Sequence, residues 1–370
     1  MLEWGTYIFY ALVVFGLLIL FHELGHFTLA KLTGVQVYEF SIGFGPRLAG
    51  FKRGETVYNM RSIPLGGFVR MAGMDPDEDQ READQKNVGT ETGVGDEKAA
   101  GPVVDPARSF MHKSVPKRIA IIAAGPLMNF VLAILLFSLS IYIFGWPTLQ
   151  NTVGGVVAGK PAAQAGIKGG DVIKKINGTP VTNWDDVVEI IHKSPSKPVA
   201  IEVKRDQETK TFSVVPEQDR QNGRGLIGIT PVATPVYENK GIIGSVGMGF
   251  VQTYRVLDMT KDFVQKMLAK QMPVQLSGPV RITYELGKAA KMGFNTLINI
   301  AGFLSLQIGL FNLLPIPALD GSRIMFLGVE GIRRKPIDPS KENFIHLVGL
   351  ALLLLLMVVI TYQDIVQMVG

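Results

Sequence analysis

Long apolar runs alternate with polar stretches along the chain. Four of the runs reach the roughly 20 residues that a membrane-crossing helix needs. They lie at residues 1–34, 117–147, 295–321 and 343–363. The last contains ALLLLLMVVI, a block whose soluble counterpart would be a fully buried helix. The first carries Glu3 and no basic residue ahead of its apolar stretch, and no small-residue cleavage site follows it, so a removable leader fits poorly. Residues 35–74 partly alternate apolar and polar positions and are punctuated by Gly-Pro and Gly-Gly, which predicts β-hairpins directly after the first span. Residues 150–232 read as a small α/β module. VGGVV, DVIKKING and VAIEVKR are its strands, and PAAQAGIKGGDVI and NWDDVVEIIHKS bear its helices. Residues 236–292 have helical spacing and enough apolar positions for amphipathic helices, either at a membrane surface or packed on the third span. The expected architecture is an α-helical polytopic membrane protein of about four transmembrane helices, with a β-hairpin region and an inserted α/β module.

Composition narrows the chemistry. Of the 370 residues 47% are hydrophobic and 19% charged, which excludes a disordered chain. There is no cysteine, so disulfides, thiolate nucleophiles and Cys-ligated metals are excluded, and any metal must sit on His, Asp or Glu. The net charge of +5 is small and no basic tract stands out, which argues against nucleic acid as a partner.

Charge also sets an expected orientation. Thirteen Lys and Arg residues lie between Lys31 and Arg118, and five lie between the third and fourth spans, at Arg323, Arg333, Arg334, Lys335 and Lys341. Basic loops stay on the cytoplasmic side. Both termini and the 150–232 module are therefore expected to be extracytoplasmic. The 75–116 stretch would be a cytoplasmic loop; from Asp75 to Asp105 it holds ten acidic residues against three basic, as a solvated linker does.

His22-Glu23-Leu24-Gly25-His26 fits the pattern HExxH. On a helix, positions i and i+4 share one face, so two imidazoles can bind one zinc ion and the Glu between them can serve as general base. Read alone, the pentad also fits a polar helix end at the membrane interface. Its position on an apolar span favours function, because ionisable groups there are costly. A catalytic zinc takes a third protein ligand. His112, His192 and His346 have no polar cluster around them in sequence. Asp320 does better: it follows Asn312-Leu-Leu-Pro315-Ile-Pro317-Ala-Leu, where two prolines break the third span and free backbone polar groups.

These segments resemble the site-2 protease family of intramembrane zinc metalloproteases, in its bacterial regulator-of-sigma branch. FHELGH and NLLPIPALDG match the two signatures of that family, in order and each on a span. RGETVYNMRSIPLGGFVRM resembles its membrane-associated β region, and AAGPLMNF and LSGPVRI are also similar to family segments. GKPAAQAGIKGGDVIKKINGTPV resembles a PDZ domain of the circularly permuted bacterial kind, present here in a single copy.

The resemblance implies Zn2+ on His22, His26 and Asp320, with Glu23 as the base. It also implies substrate positioning by Asn312. Independently, an unwound substrate backbone needs a strand edge near the site to pair with, and 54–72, including Gly66 and Gly67, is the candidate. For Asn312, capping of broken helix backbone is an equal alternative. The implied activity is peptide-bond hydrolysis in or near the transmembrane segment of single-pass proteins, such as anti-sigma factors or remnant signal peptides. The implied location is the bacterial cytoplasmic membrane, with the site toward the cytoplasmic side and the lipid bilayer around it. The PDZ module has two roles open to it, binding a peptide C-terminus by β-augmentation or acting as a size filter. Two rivals stand beside this reading: a membrane metalloprotease with a Glu third ligand that cleaves outside the bilayer, and a catalytically inactive PDZ-bearing scaffold.

Overall fold

The computed structural model describes residues 2–74, 106–219, 223–271 and 277–369. The chain forms two compact units, one made of 1–140 with 246–370 and one of 141–245. The acidic segment expected at 75–105 lies outside the described residues; 106–112 forms two short 3-10 turns.

The first unit opens with α1 (Leu2–Leu32), an apolar helix that stops at Gly34, whose φ of 74° no ordinary helix continues. Two long strands follow, β1 (Val37–Arg53) and β2 (Thr56–Met71). Their register is folded back on itself. Phe40 pairs with both Val69 and Tyr58, and Tyr58 also pairs with Phe51. The two strands therefore make a four-segment antiparallel sheet in the order 47–53, 56–63, 37–44, 67–71. The last segment is an edge, since no other described strand pairs with it. The turn at Glu55 is tied to the end of α1 by Lys31 and to the 106–112 turns by Arg108. Val35, Val37, Phe40, Val69 and Met71 of this region are buried with Ala30 of α1 and with Ile121 and Ile122 of the next helix.

That helix, α2 (Val115–Phe144), accommodates Pro126 in its interior. Helices α3 (Pro161–Ala165) and α4 (Trp184–His192) belong to the second unit. The long α5 (Gly241–Leu268) runs from the second unit back into the first. Then come α6 (Pro279–Met292), α7 (Phe294–Asn312), α8 (Asp320–Arg333) and α9 (Pro339–Val369). Among the described residues, four helices are long and apolar enough to cross a membrane: α1, α2, α7 and α9. Helix α6 packs closely on α1, where a Cβ at Gly287 would strike the Tyr7 ring. Its first turn is closed from outside its own sequence: the buried carboxylate of Asp364, near the end of α9, accepts the Gly278 and Arg281 N–H groups at 3.1 and 2.9 Å.

The third span differs from its expected limits. A single segment over 295–321, with Asp320 at its end, was expected; instead α7 stops at Asn312 and Asp320 opens α8. The reason lies in Pro315 and Pro317, which donate no hydrogen bond and push the residues before them out of the helical region. After them the helix restarts, with a carboxylate in its favourable first turn. The basic residues through Arg333 that suggested a loop are therefore largely helical.

The second unit carries an antiparallel sheet of β3 (Val172–Ile176), β4 (Thr179–Pro180), β5 (Val199–Arg205) and β6 (Glu208–Val214), in the order β4, β3, β5, β6. Its core contains Ile173, Ile176, Val187, Ile191, Ile201 and Val203. The buried Asp171 accepts from Arg205 Nε at 2.6 Å, from an Arg205 terminal nitrogen at 2.7 Å and from the Lys168 amide at 2.9 Å. Burial alone would raise the Asp171 carboxyl, but these donors outweigh it and hold it below the usual carboxylate range. The stability it contributes is therefore present above the unfolded carboxylate pKa and is lost as pH falls through the lowered folded value. Asp171→Ala leaves the largely buried Arg205 without its carboxylate, the Gly166 carbonyl still accepting from it, and is expected to cost this unit about 3 kcal/mol. Thermal unfolding of the purified chain, followed by protease sensitivity of the 141–245 unit, reads this directly. An unchanged midpoint at neutral pH would refute it.

Candidate metal centre

His22 and His26 lie one turn apart on α1, so their imidazoles project from one face. Asp320 reaches them from the start of α8. Its Oδ2 lies 3.0 Å from His22 Nε2 and 3.5 Å from His26 Nε2, and the two Nε2 atoms are 3.2 Å apart. Among the described residues, these three make the group of His, Asp and Glu side chains able to hold a metal ion. His112, His192 and His346 are not in it, and neither are Glu39 and Glu285. Glu39 is engaged instead by Arg61 and Asn59.

The donor set fits zinc. The His26 Nδ1–H donates to the Ile121 carbonyl at 2.9 Å, which leaves the Nε2 lone pair pointing at Asp320. Asp320 Oδ2 is buried and makes no hydrogen bond. A lone pair and a carboxylate oxygen converging in a buried space repel unless a cation lies between them. Ligand atoms around a tetrahedral zinc at 2.0–2.1 Å stand about 3.3 Å from one another, and the observed separations bracket that value.

Helix α2 shapes the other wall. A Cβ on Gly25 would come within 2.1 Å of the Ala124 carbonyl oxygen, and one on Gly125 within 2.3 Å of His26 Nε2. The glycines thus permit backbone contact between α1 and α2 and make room for the His26 ring. Asn129, fully buried one turn beyond Gly125, brings its amide nitrogen within 3.3 Å of His22 Nδ1, and its oxygen has no partner. For His22 to offer Nε2 to a metal, its proton must sit on Nδ1. Turning the Asn129 amide by 180° places the unpartnered oxygen there to accept it. Neither Gly25, Gly125 nor Asn129 stood out as a site residue in the sequence, although a Gly and an Asn four apart in the apolar AAGPLMNF were the available signal.

The remaining expected residues fall as follows. Gly67 lies beside Glu23: a Cβ there would approach Glu23 Cγ to 3.0 Å and the Ser41 carbonyl oxygen to 2.9 Å. Gly66 has φ of 116° and leaves no room for a side chain beside the Phe44 ring. The edge segment 67–71 thus runs past Glu23. Asn312 is not in the group of three; its amide donates to the Ile308 carbonyl, one turn back in α7.

A model of the family described as Peptidase family M50 matches residues 10–356. The chain belongs to peptidase family M50. Its relatives include the "Regulator of sigma-W protease RasP" of Bacillus subtilis, 37% identical over 96% of this chain and 97% of the relative. The "Zinc metalloprotease RasP" of Geobacillus kaustophilus is 35% identical over 96% of each. Among solved structures, the PDZ domain of an SdrC-like protein from Listeria monocytogenes aligns with 22% of this chain and 87% of its own, at 25% identity and a TM-score of 0.21. As an M50 peptidase, the chain is a zinc metalloprotease of the site-2 type, built of membrane helices with a β region and an α/β module. The inactive-scaffold reading falls away with that assignment.

Proposed function

We propose that His22, His26 and Asp320 hold the zinc, that Glu23 is the general base, and that the 67–71 edge presents the substrate to them. One observation carries this reading: three converging donor atoms, with the intervening Glu of the same helix beside a sheet edge that no other described strand covers. Zinc in that position supplies a Lewis acid for the scissile carbonyl and lowers the pKa of water toward 7. Glu23 then takes the proton of the attacking water and hands it to the leaving amine. A peptide bond inside a helix is shielded by its own hydrogen bonds. The substrate must therefore unwind, and its freed N–H and C=O groups need partners at membrane depth. The strand edge supplies them by β-augmentation, with Gly66 and Gly67 keeping side chains out of the approach.

The substrates in this reading are single-pass membrane proteins already trimmed on the outer side. The name of the Bacillus subtilis relative supports a membrane-bound regulator of a sigma factor as one of them. The basic 31–118 and 323–341 segments support a cytoplasmic placement for the site, with both termini and the PDZ-like module on the other side of the bacterial cytoplasmic membrane.

The test is reconstitution of the purified protein in lipid vesicles with a single-pass substrate bearing a short outer stub. Mass spectrometry of the products is expected to place the cut inside the transmembrane segment. A zinc chelator should abolish cleavage, and added zinc should restore it. Cleavage confined to the extramembrane stub, or cleavage indifferent to the chelator, would overturn the reading.

A further inference from the structure

The loop between α7 and α8 delivers Asp320, and one of its amides is satisfied from another helix. Between Pro315 and Leu319 three residues carry an N–H group: Ile316, Ala318 and Leu319. Ile316 donates to the Leu314 carbonyl at 2.7 Å and Leu319 to the Ile316 carbonyl at 3.1 Å, both within the segment. Ala318 has no such partner in the loop. Its N–H donates 3.1 Å to Nδ1 of His346, on α9. Ala318 also has φ of 74°, the left-handed region that an alanine enters only at a cost. A strained residue persists where its surroundings over-determine it.

Helix α9 supplies that constraint at two points. At Gly349 the missing side chain admits Pro317; a Cβ there would lie 2.2 Å from Pro317 Cβ. One turn earlier His346 accepts the Ala318 bond. Its ring stands edge-on to Phe326 of α8, with centroids 5.9 Å apart at 79°, so the same imidazole touches both the loop and the helix that Asp320 opens. Because Nδ1 accepts, the ring hydrogen sits on Nε2. That atom is buried without a hydrogen bond, and the nearest carboxylate oxygen, on Glu342, is 3.8 Å away.

We infer that His346 is a positioning residue for the metal centre: by accepting the Ala318 N–H bond it fixes the Pro315–Leu319 loop and hence the place of Asp320. The inference rests on Asp320 being a zinc ligand. It makes α9, which contributes no ligand, part of the machinery that sets the zinc geometry.

The side-chain geometry offers a discriminating series. An asparagine at 346 presents its amide oxygen where Nδ1 stands. A glutamine presents its oxygen near the Nε2 position instead, and a phenylalanine keeps a ring with no acceptor. Outer partners of metal ligands typically affect metal affinity or activity by 10- to 100-fold. His346→Phe and His346→Gln are therefore expected to lose zinc to EDTA roughly ten times faster than the unaltered chain. They should also lower kcat about tenfold with KM little changed, since the substrate edge is untouched. His346→Asn should restore both, to within about threefold.

Asp320→Ala is measured alongside. If it keeps its zinc, the ligand assignment itself fails. If it loses zinc while His346→Phe and His346→Gln keep both zinc retention and kcat, the His346 proposal fails alone. Equal loss in His346→Asn and His346→Phe would also overturn it, because ring packing rather than the acceptor would then be what matters.

Discussion

Glu23→Gln is expected to keep its zinc at near-stoichiometric levels and to lose at least about 100-fold in kcat. The amide has the shape of the carboxylate, so the side chain still fits beside Gly67, where the strand edge comes within van der Waals reach of Glu23 Cγ. It cannot take a proton from water. Nor does Glu23 belong to the His22, His26 and Asp320 group, so its replacement removes no ligand. Rate and metal content therefore separate. The measurement is turnover of a reconstituted transmembrane substrate together with zinc analysis of the same sample. Turnover like that of the unaltered protein would remove Glu23 from the reaction; loss of zinc together with activity would make it a structural partner of the metal instead.

Asp320→Ala is expected to lose both zinc and activity, by more than the 10- to 100-fold typical of an outer partner. The carboxylate contributes the one anionic donor of the three, and without it two neutral imidazoles face a divalent ion alone. Glu39→Ala and Glu285→Ala serve as controls and should keep their zinc. Glu39 is bonded to Arg61 and Asn59 within the β sheet, so its removal disturbs that sheet rather than the metal site. Full zinc in Asp320→Ala, with zinc missing from either Glu variant, would move the third ligand to that glutamate.

The parts of this site that were legible in the sequence are those whose chemistry sits in short spacing. HELGH declares itself because two histidines four apart share a helix face wherever that helix goes. Asp320 was legible because prolines beside an acidic residue at the end of an apolar run are costly without a use. The prolines also announced a break in the third span, but not that a new helix, α8, starts at Asp320 directly after it. Partners brought together by packing left weaker marks. Asn129 meets His22 across 107 positions, and His346 meets Ala318 across 28, so neither contact is written in local pattern. His346 looked uninformative for this reason. Its neighbours in sequence are apolar, and its polar partner is the backbone of another segment. The folding of β1 and β2 into four paired segments was likewise hidden, because the bends at Gly43, Gly45 and Gly66 read only as turns between hairpins.

The crossing of α1 and α2 at Gly25 and Gly125 has a mechanical consequence. Where main chain rests on main chain, there is no rotamer to swing aside and no layer of side chains to compress. His26 is anchored within that contact, through its bond to the Ile121 carbonyl. The two helices therefore behave as a fixed anvil. Whatever yields when a substrate helix arrives must be among the elements joined through side chains and single hydrogen bonds, and not this joint.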